Sequence, residues 1–212
     1  MAERLFGTDG VRGVAGTYPL DPPTICRLGA AVVRTLGLDR PARLIIGRDT
    51  RESGEWIARE LARGATGEGA SVTNAGVMPT PGIAFLARAL GHDLGVVLSA
   101  SHNPYTDNGI KVFSGLGEKF GEAKERAVEV MMADAGWHPA ARDQVTMTTG
   151  EFVRPYLDHV RRLWPSAGAL DGARVAIDMA NGATTATAPR LFTELGLDVV
   201  PLGDRPDGRN IN

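Results

Sequence analysis

Residues 94–113 read Leu94-Gly95-Val96-Val97-Leu98-Ser99-Ala100-Ser101-His102-Asn103-Pro104-Tyr105-Thr106-Asp107-Asn108-Gly109-Ile110-Lys111-Val112-Phe113. The short apolar run 94–98 reads as a buried strand. Asn103-Pro104 and Asn108-Gly109 then predict a tight exposed turn, and Ile110, Val112 and Phe113 lead out of it. Ser101 is thereby set at a strand-to-loop junction, with the imidazole of His102 beside it and the amine of Lys111 ten residues on. A rigid strand carrying a reactive loop is how proteins usually present a nucleophile. The same residue types also make ordinary solvated turns, and no Gly-x-Ser-x-Gly surrounds Ser101.

The pattern repeats outward from this stretch. Asp21 before Pro22-Pro23 predicts a capped helix, with Ile25, Leu28, Val32 and Leu36 at helical spacing until Gly37. Residues 43–47 read as a buried strand, 53–63 as a helix, 71–74 as a strand and 80–90 as a helix begun by Thr80-Pro81, with Thr80 as its cap. An amphipathic helix is expected over 118–135. Strands alternating with helices predict an α/β layered domain over residues 1–150, built on a mainly parallel mixed sheet flanked by helices. After the break at 146–150, residues 151–212 are expected to hold a linker helix (151–164) and an incomplete second α/β domain of the same type. Pro165-Ser166-Ala167-Gly168 would precede its first strand at 174–177, followed by a helix around 184–195 and a strand near 197–202. So few elements make a poor core of their own. Sheets of this kind place ligands at the carboxyl ends of their strands, so Gly47-Arg48-Asp49 and Ser99–His102 are expected to meet in one cleft.

Composition narrows the function classes. At 212 residues, 43% hydrophobic and 23% charged, the chain is an ordinary globular one. A formal charge of −2 implies no polyanion-binding surface and no nucleic-acid partner. No apolar run approaches the roughly 18 residues of a membrane span, and no signal-peptide core is present. One cysteine, Cys26, rules out an internal disulfide and fits a reducing cytoplasm; its apolar setting favours a packed thiol. Histidines at 92, 102, 138 and 159 have no zinc spacing. Neither Gly-x-x-x-x-Gly-Lys nor Gly-x-Gly-x-x-Gly occurs, so nothing points to ATP or a dinucleotide. Lys119 and Lys124 fall in a segment of alternating charge and read as a solvated face, whereas Lys111 lies among apolar residues. Arg12, between Gly10 and Gly13, is either a phosphate clamp or a solvated turn residue. Arg48 and Asp49 are either site residues or a structural pair bracing the serine loop. Asp178, Asn181 and Gly182 are left outside the site as a simple turn.

Ser99-Ala100-Ser101-His102-Asn103-Pro104, followed by Asn108-Gly109-Ile110-Lys111, resembles the active-serine signature of the α-D-phosphohexomutases. Phe6-Gly7-Thr8-Asp9-Gly10-Val11-Arg12-Gly13 resembles that family's N-terminal loop, in the form carried by the bacterial branch that acts on glucosamine phosphates. Gly47–Gly54, Gly76–Pro81, Asp178–Gly182 and Pro206–Asn212 resemble further segments in the same order. The resemblance covers nearly the whole chain and implies roughly the N-terminal half of such an enzyme. It implies that Ser101 carries a phosphoryl group between the 6- and 1-positions of a hexosamine phosphate through a hexose bisphosphate intermediate, supplying precursors of cell-wall sugars. Arg12 would neutralise phosphoryl charge, Lys111 would serve as general acid or base if burial lowers its pKa, and His102 would position the phosphoserine or move its proton. Mg²⁺ would bind an oxygen at Ser101 and an Asp-Gly-Asp-x-Asp-Arg loop that this sequence lacks. The residues alone are therefore expected to turn over negligibly. A branch acting on glucose or mannose phosphates, and a non-catalytic sugar-phosphate-binding module, are the alternatives. A homodimer is compatible with the sequence, which leaves the oligomeric state open.

Overall fold

The computed structural model describes residues 4–164, 168 and 170–212. Pro165-Ser166-Ala167, expected to lead into the second sheet, lies outside the described residues. In chain order the elements are β1 (Val11–Val14), α1 (Pro22–Arg34), β2 (Arg43–Arg48), α2 (Gly54–Gly67), β3 (Ser71–Val77), α3 (Thr80–Ala89), β4 (Leu94–Leu98) and β5 (Asp107–Ser114). Then come α4 (Glu122–Ala133), β6 (Thr148–Thr149), α5 (Val153–Arg162), β7 (Arg174–Asp178), a 3₁₀ turn (Ala183–Ala186), α6 (Ala188–Glu194) and β8 (Asp198–Leu202).

Six strands form one mixed sheet in the order β1-β5-β4-β2-β3-β6. β2 runs parallel to β3 and β4, and β3 to β6, while β5 is antiparallel to both β4 and β1. Alternation along the strands decides the layers. Leu44 and Ile46 of β2, and Leu94, Val96 and Leu98 of β4, pack with residues of α1, α2 and α4; Ile45 and Val97 face α3. The sheet is thus covered on both sides, which is why the apolar run 94–98 is buried at every position. Each fully buried aliphatic side chain contributes roughly 1.5–3 kcal/mol relative to exposure. α1 and α2 touch closely enough that a Cβ on Gly64 would lie 1.8 Å from the Cys26 carbonyl oxygen, so glycine is required there.

β7 and β8 form a separate, two-stranded parallel sheet. No residue of α6 is buried, and the strand residues are half-buried or exposed. Two strands give little independent stability, so this sheet leans on its neighbours. Glu194 of α6 accepts from Arg154 and Arg161 of α5, and from Arg190. α5 in turn stacks His159 on Phe85 of α3, with ring centroids 4.1 Å apart.

Several expectations are corrected. Asn108-Gly109 is not in a turn: both residues lie in β5, Asn108 is fully buried, and they pair with Gly13 and Arg12 of β1. β1 lies in a Gly-rich stretch with little strand signal, and β6 is two residues long, so neither was expected. The 118–135 helix is shorter, and that expected at 184–195 is split into a 3₁₀ turn and α6. Asp21 holds the N-cap position of α1 yet makes no capping bond, and one of its oxygens is buried without a partner. Pro22 and Pro23 supply no N–H in the first turn, which removes one of the donors a cap would take. At α3 the N-cap is Pro79 rather than Thr80.

Candidate active site

The carboxyl ends of β2, β3 and β4 deliver three loops to the same edge of the sheet. They converge as expected: Asp49, Thr80, Ser99, Ser101 and His102 line one cleft of about 310 Å³. Its opposite wall comes from the second sheet's loops and from Ile211 and Asn212. Gly182, left out of the site on sequence, belongs to that wall with Met179 and Thr184.

Ser101 stands at the cleft with φ 58°, a left-handed conformation that costs on the order of 1–2 kcal/mol for a residue with a Cβ. Its N–H donates to Ser99 Oγ at 3.1 Å, and its Oγ lies 3.4 Å from His102 Nδ1. Strain of this kind at a cleft marks a position set by its surroundings. The hydroxyl itself is exposed.

The Ser101 carbonyl accepts from Arg51, a residue the sequence reading missed. Arg51 is 0% exposed in its side chain and pairs with Asp49 at 3.0 Å. The bracing pair is therefore Asp49–Arg51; among the described residues Arg48 donates to the Asp49 carbonyl and not to its carboxylate. The link is a local turn: the Asp49 carboxylate also accepts the Arg51 backbone N–H at 3.0 Å, which folds Arg51 back onto it. Arg51 N–H groups donate to the carbonyls of Ser101, Asn103, Pro104 and Asp107. Thr50 and Glu52 reach the opposite wall instead. Thr50 Oγ1 donates to the Asn181 carbonyl at 2.5 Å, and Glu52 accepts from Arg209 Nε at 2.7 Å. Asn212 Nδ2 also donates to the His102 carbonyl at 2.5 Å.

Arg12 and Lys111 form a second group. Both bind one carboxylate: Asp9 Oδ2 lies 3.0 Å from Arg12 and 2.6 Å from Lys111. Lys111 is therefore ion-paired, rather than isolated among apolar residues as the sequence implied. Among the described residues no hydrogen bond or ion pair joins this group to Ser101 or His102. The two groups adjoin at Gly109, whose carbonyl accepts from Ser99 N–H and whose absent Cβ would lie 3.2 Å from Arg12 Cγ. The hydrogen bond from Lys111 holds the Asp9 carboxyl below its ordinary 3.8.

The N-terminal segment that bears Asp9 and leads into the strand of Arg12 is anchored from α4. Glu129 Oε1 accepts the Leu5 and Phe6 N–H groups at 2.8 and 2.9 Å, and its Oε2 pairs with Arg126. Burial pushes this carboxyl up, but the two amides and Arg126 more than offset that, leaving it below 4.5. A depressed acid stabilises the fold above its unfolded value, and the contribution is lost as pH falls through the folded one. The melting temperature is expected to fall as pH drops below 4.5. Glu129→Gln should melt lower at neutral pH and show a shallower fall as pH drops below 4.5. Identical slopes in thermal melts of the two proteins would contradict this assignment.

Ser101 is also where the resemblance puts a Mg²⁺ ligand. Among the described residues no group of His, Cys, Asp or Glu side chains could hold a metal ion. Both oxygens of the nearby Asp49 carboxylate are taken by Arg51. Ser101 offers a single oxygen, short of what a hard cation needs.

This sheet and its three converging loops are those of a known family. Residues 3–137 match the phosphoglucomutase/phosphomannomutase α/β/α domain I model, and the chain belongs to that family. Among its relatives, the phosphoglucosamine mutase of Solibacter usitatus is 47% identical over the whole chain, and that of Deinococcus deserti 45%. The chain spans about half the length of these curated relatives, 48% of each. The crystal structure of a candidate phosphomannomutase from Thermus thermophilus superposes with a TM-score of 0.83 at 25% identity, covering 99% of this chain and 48% of that one. Among the described residues no helix is long and apolar enough to cross a membrane.

Proposed function

We propose that these residues form the phosphoryl-carrying part of a phosphoglucosamine mutase, which interconverts glucosamine 6-phosphate and glucosamine 1-phosphate. The observation that carries the reading is Ser101 itself, an exposed hydroxyl held in a strained conformation at the cleft, with an imidazole at 3.4 Å. In the reaction the phosphoserine Oγ–P bond breaks and a P–O bond forms to the free hydroxyl of the sugar monophosphate. The proton lost by that hydroxyl goes to the serine oxygen, giving serine and a hexose bisphosphate. After the bisphosphate turns over, the same exchange runs backward with its other phosphate. His102 is suited to moving the serine proton, Lys111 to giving or taking the sugar proton, and Arg12 to neutralising phosphoryl charge. Phosphoryl transfer asks mainly for such positioning and charge.

The sugar is taken from the names of the relatives. Glucose or mannose phosphates are the second reading, favoured by the family model and by the Thermus structure. Comparing kcat/KM for glucosamine and glucose phosphates decides between them. The division into a first domain over 1–150 and a second from 151, a cytoplasmic location, and a supply of cell-wall sugar precursors belong to the same reading. Magnesium enters it only as an ion to which Ser101 supplies one oxygen.

The test is intact mass with fragmentation, on protein made from the complete reading frame and incubated with a hexose 1,6-bisphosphate. One phosphoryl group on Ser101 is expected. Phosphate on another residue would refute the choice of nucleophile, and no phosphate with no turnover would refute the mutase reading.

A further inference from the structure

We propose that Arg51 is the positioning residue of the phosphoryl-carrying serine. Its guanidinium holds the backbone of residues 101–107 in the curve that presents Ser101 to the cleft. This rests on Ser101 being the carrier, and it names what fixes the carrier in place.

The donors of one side chain carry the inference. A guanidinium has five N–H groups, and each of Arg51's has an acceptor. Nε donates to Asp49 Oδ2 at 3.0 Å. Nη2 donates to the Ser101 and Asn103 carbonyls at 3.0 and 2.9 Å. Nη1 donates to the Asp107 carbonyl at 3.0 Å and to the Pro104 carbonyl. Four carbonyls of one irregular segment converge on one cation, where carbonyls left without a donor would disfavour the curve. Asp49 supplies the counter-charge, and its second oxygen takes the Arg51 backbone N–H at 3.0 Å. The pair is buried, 0% and 3% exposed, so water does not compete for it.

The clamp acts through the loop and touches no reacting atom. Its first acceptor is the carbonyl of Ser101, the residue whose φ of 58° needs an outside constraint. Lysine cannot replace it: an ammonium has three donors at one point, and no fork to span four carbonyls.

The test uses Arg51→Lys in protein from the complete reading frame. Expected is a kcat lower by about a hundredfold, with KM for the sugar phosphate within about threefold. Amides of 101–107 should exchange with deuterium about tenfold faster, and those of β2 and β4 at the wild-type rate. A kcat near wild type, or loop exchange unchanged, overturns the proposal. Should the variant fail to fold, the wild-type chain decides by nitrogen–proton spectroscopy. Separate, slowly exchanging Arg51 Nη–H signals support the clamp, and one averaged, fast-exchanging signal overturns it. If the wild-type protein shows neither phosphoserine nor turnover, the mutase reading fails. The exchange and spectroscopic results still decide on the clamp.

Discussion

Ser101→Ala is expected to abolish phosphate uptake while leaving the fold in place. In protein from the complete reading frame, turnover and phosphate uptake from a hexose bisphosphate should fall by on the order of 10⁴-fold or more, as for loss of other covalent nucleophiles. The fold has little to lose, since the hydroxyl is exposed and its one side-chain partner is His102 at 3.4 Å. The melting temperature should stay within roughly 2 °C. Ser101→Gly sharpens the experiment, because glycine carries no Cβ penalty at φ 58°. It should be as inactive as Ser101→Ala yet melt higher by roughly 2–4 °C, the equivalent of about 1 kcal/mol. Turnover retained in either variant would remove Ser101 from the mechanism.

Gly10→Ala is expected to be the most damaging small substitution in the N-terminal loop. Gly10 has φ 90°, and a Cβ there would lie 2.3 Å from the Ile110 carbonyl oxygen. Backbone strain and a clash against backbone together cost about 3 kcal/mol, lowering the melting temperature by roughly 6–12 °C. The clash pushes the loop off β5, so Asp9 and Arg12 move away from Lys111 and activity falls with stability. Gly16 is the control: its φ is 89° but nothing lies within 4 Å of its would-be Cβ. Gly16→Ala should cost only the strain, about 1 kcal/mol. Equal melting temperatures for the two variants would show that the β1–β5 pair adjusts freely.

The parts of the architecture written in local pattern were legible. The run 94–98 announced a strand buried on both faces, and Gly47-Arg48-Asp49 and Ser99–His102 announced loops at strand ends that do share a cleft. What was not legible depended on partners distant in sequence. Asn108-Gly109 has the composition of a turn, but β1 reaches it from residues 12 and 13, and Ser53 Oγ accepts from Asn108 Nδ2 at 2.8 Å. Pairing and burial overrode local preference there. Lys111 looked isolated because its counter-ion, Asp9, comes from the other end of the sheet's chain path. Arg51 was passed over because Arg48 stands next to Asp49 in sequence, while the turn after β2 folds Arg51 back onto the Asp49 carboxylate.

The turn after β2 ties the serine loop to the far wall of the cleft. Thr50 and Glu52 hold the loop at Asn181 and the Gly208–Arg209 corner, while Asp49 and Arg51, their immediate neighbours, hold the serine loop. A swing that widens the cleft has to break the outer pair of contacts first. Opening the cleft therefore means breaking contacts made by the immediate neighbours of the residues that hold the serine loop.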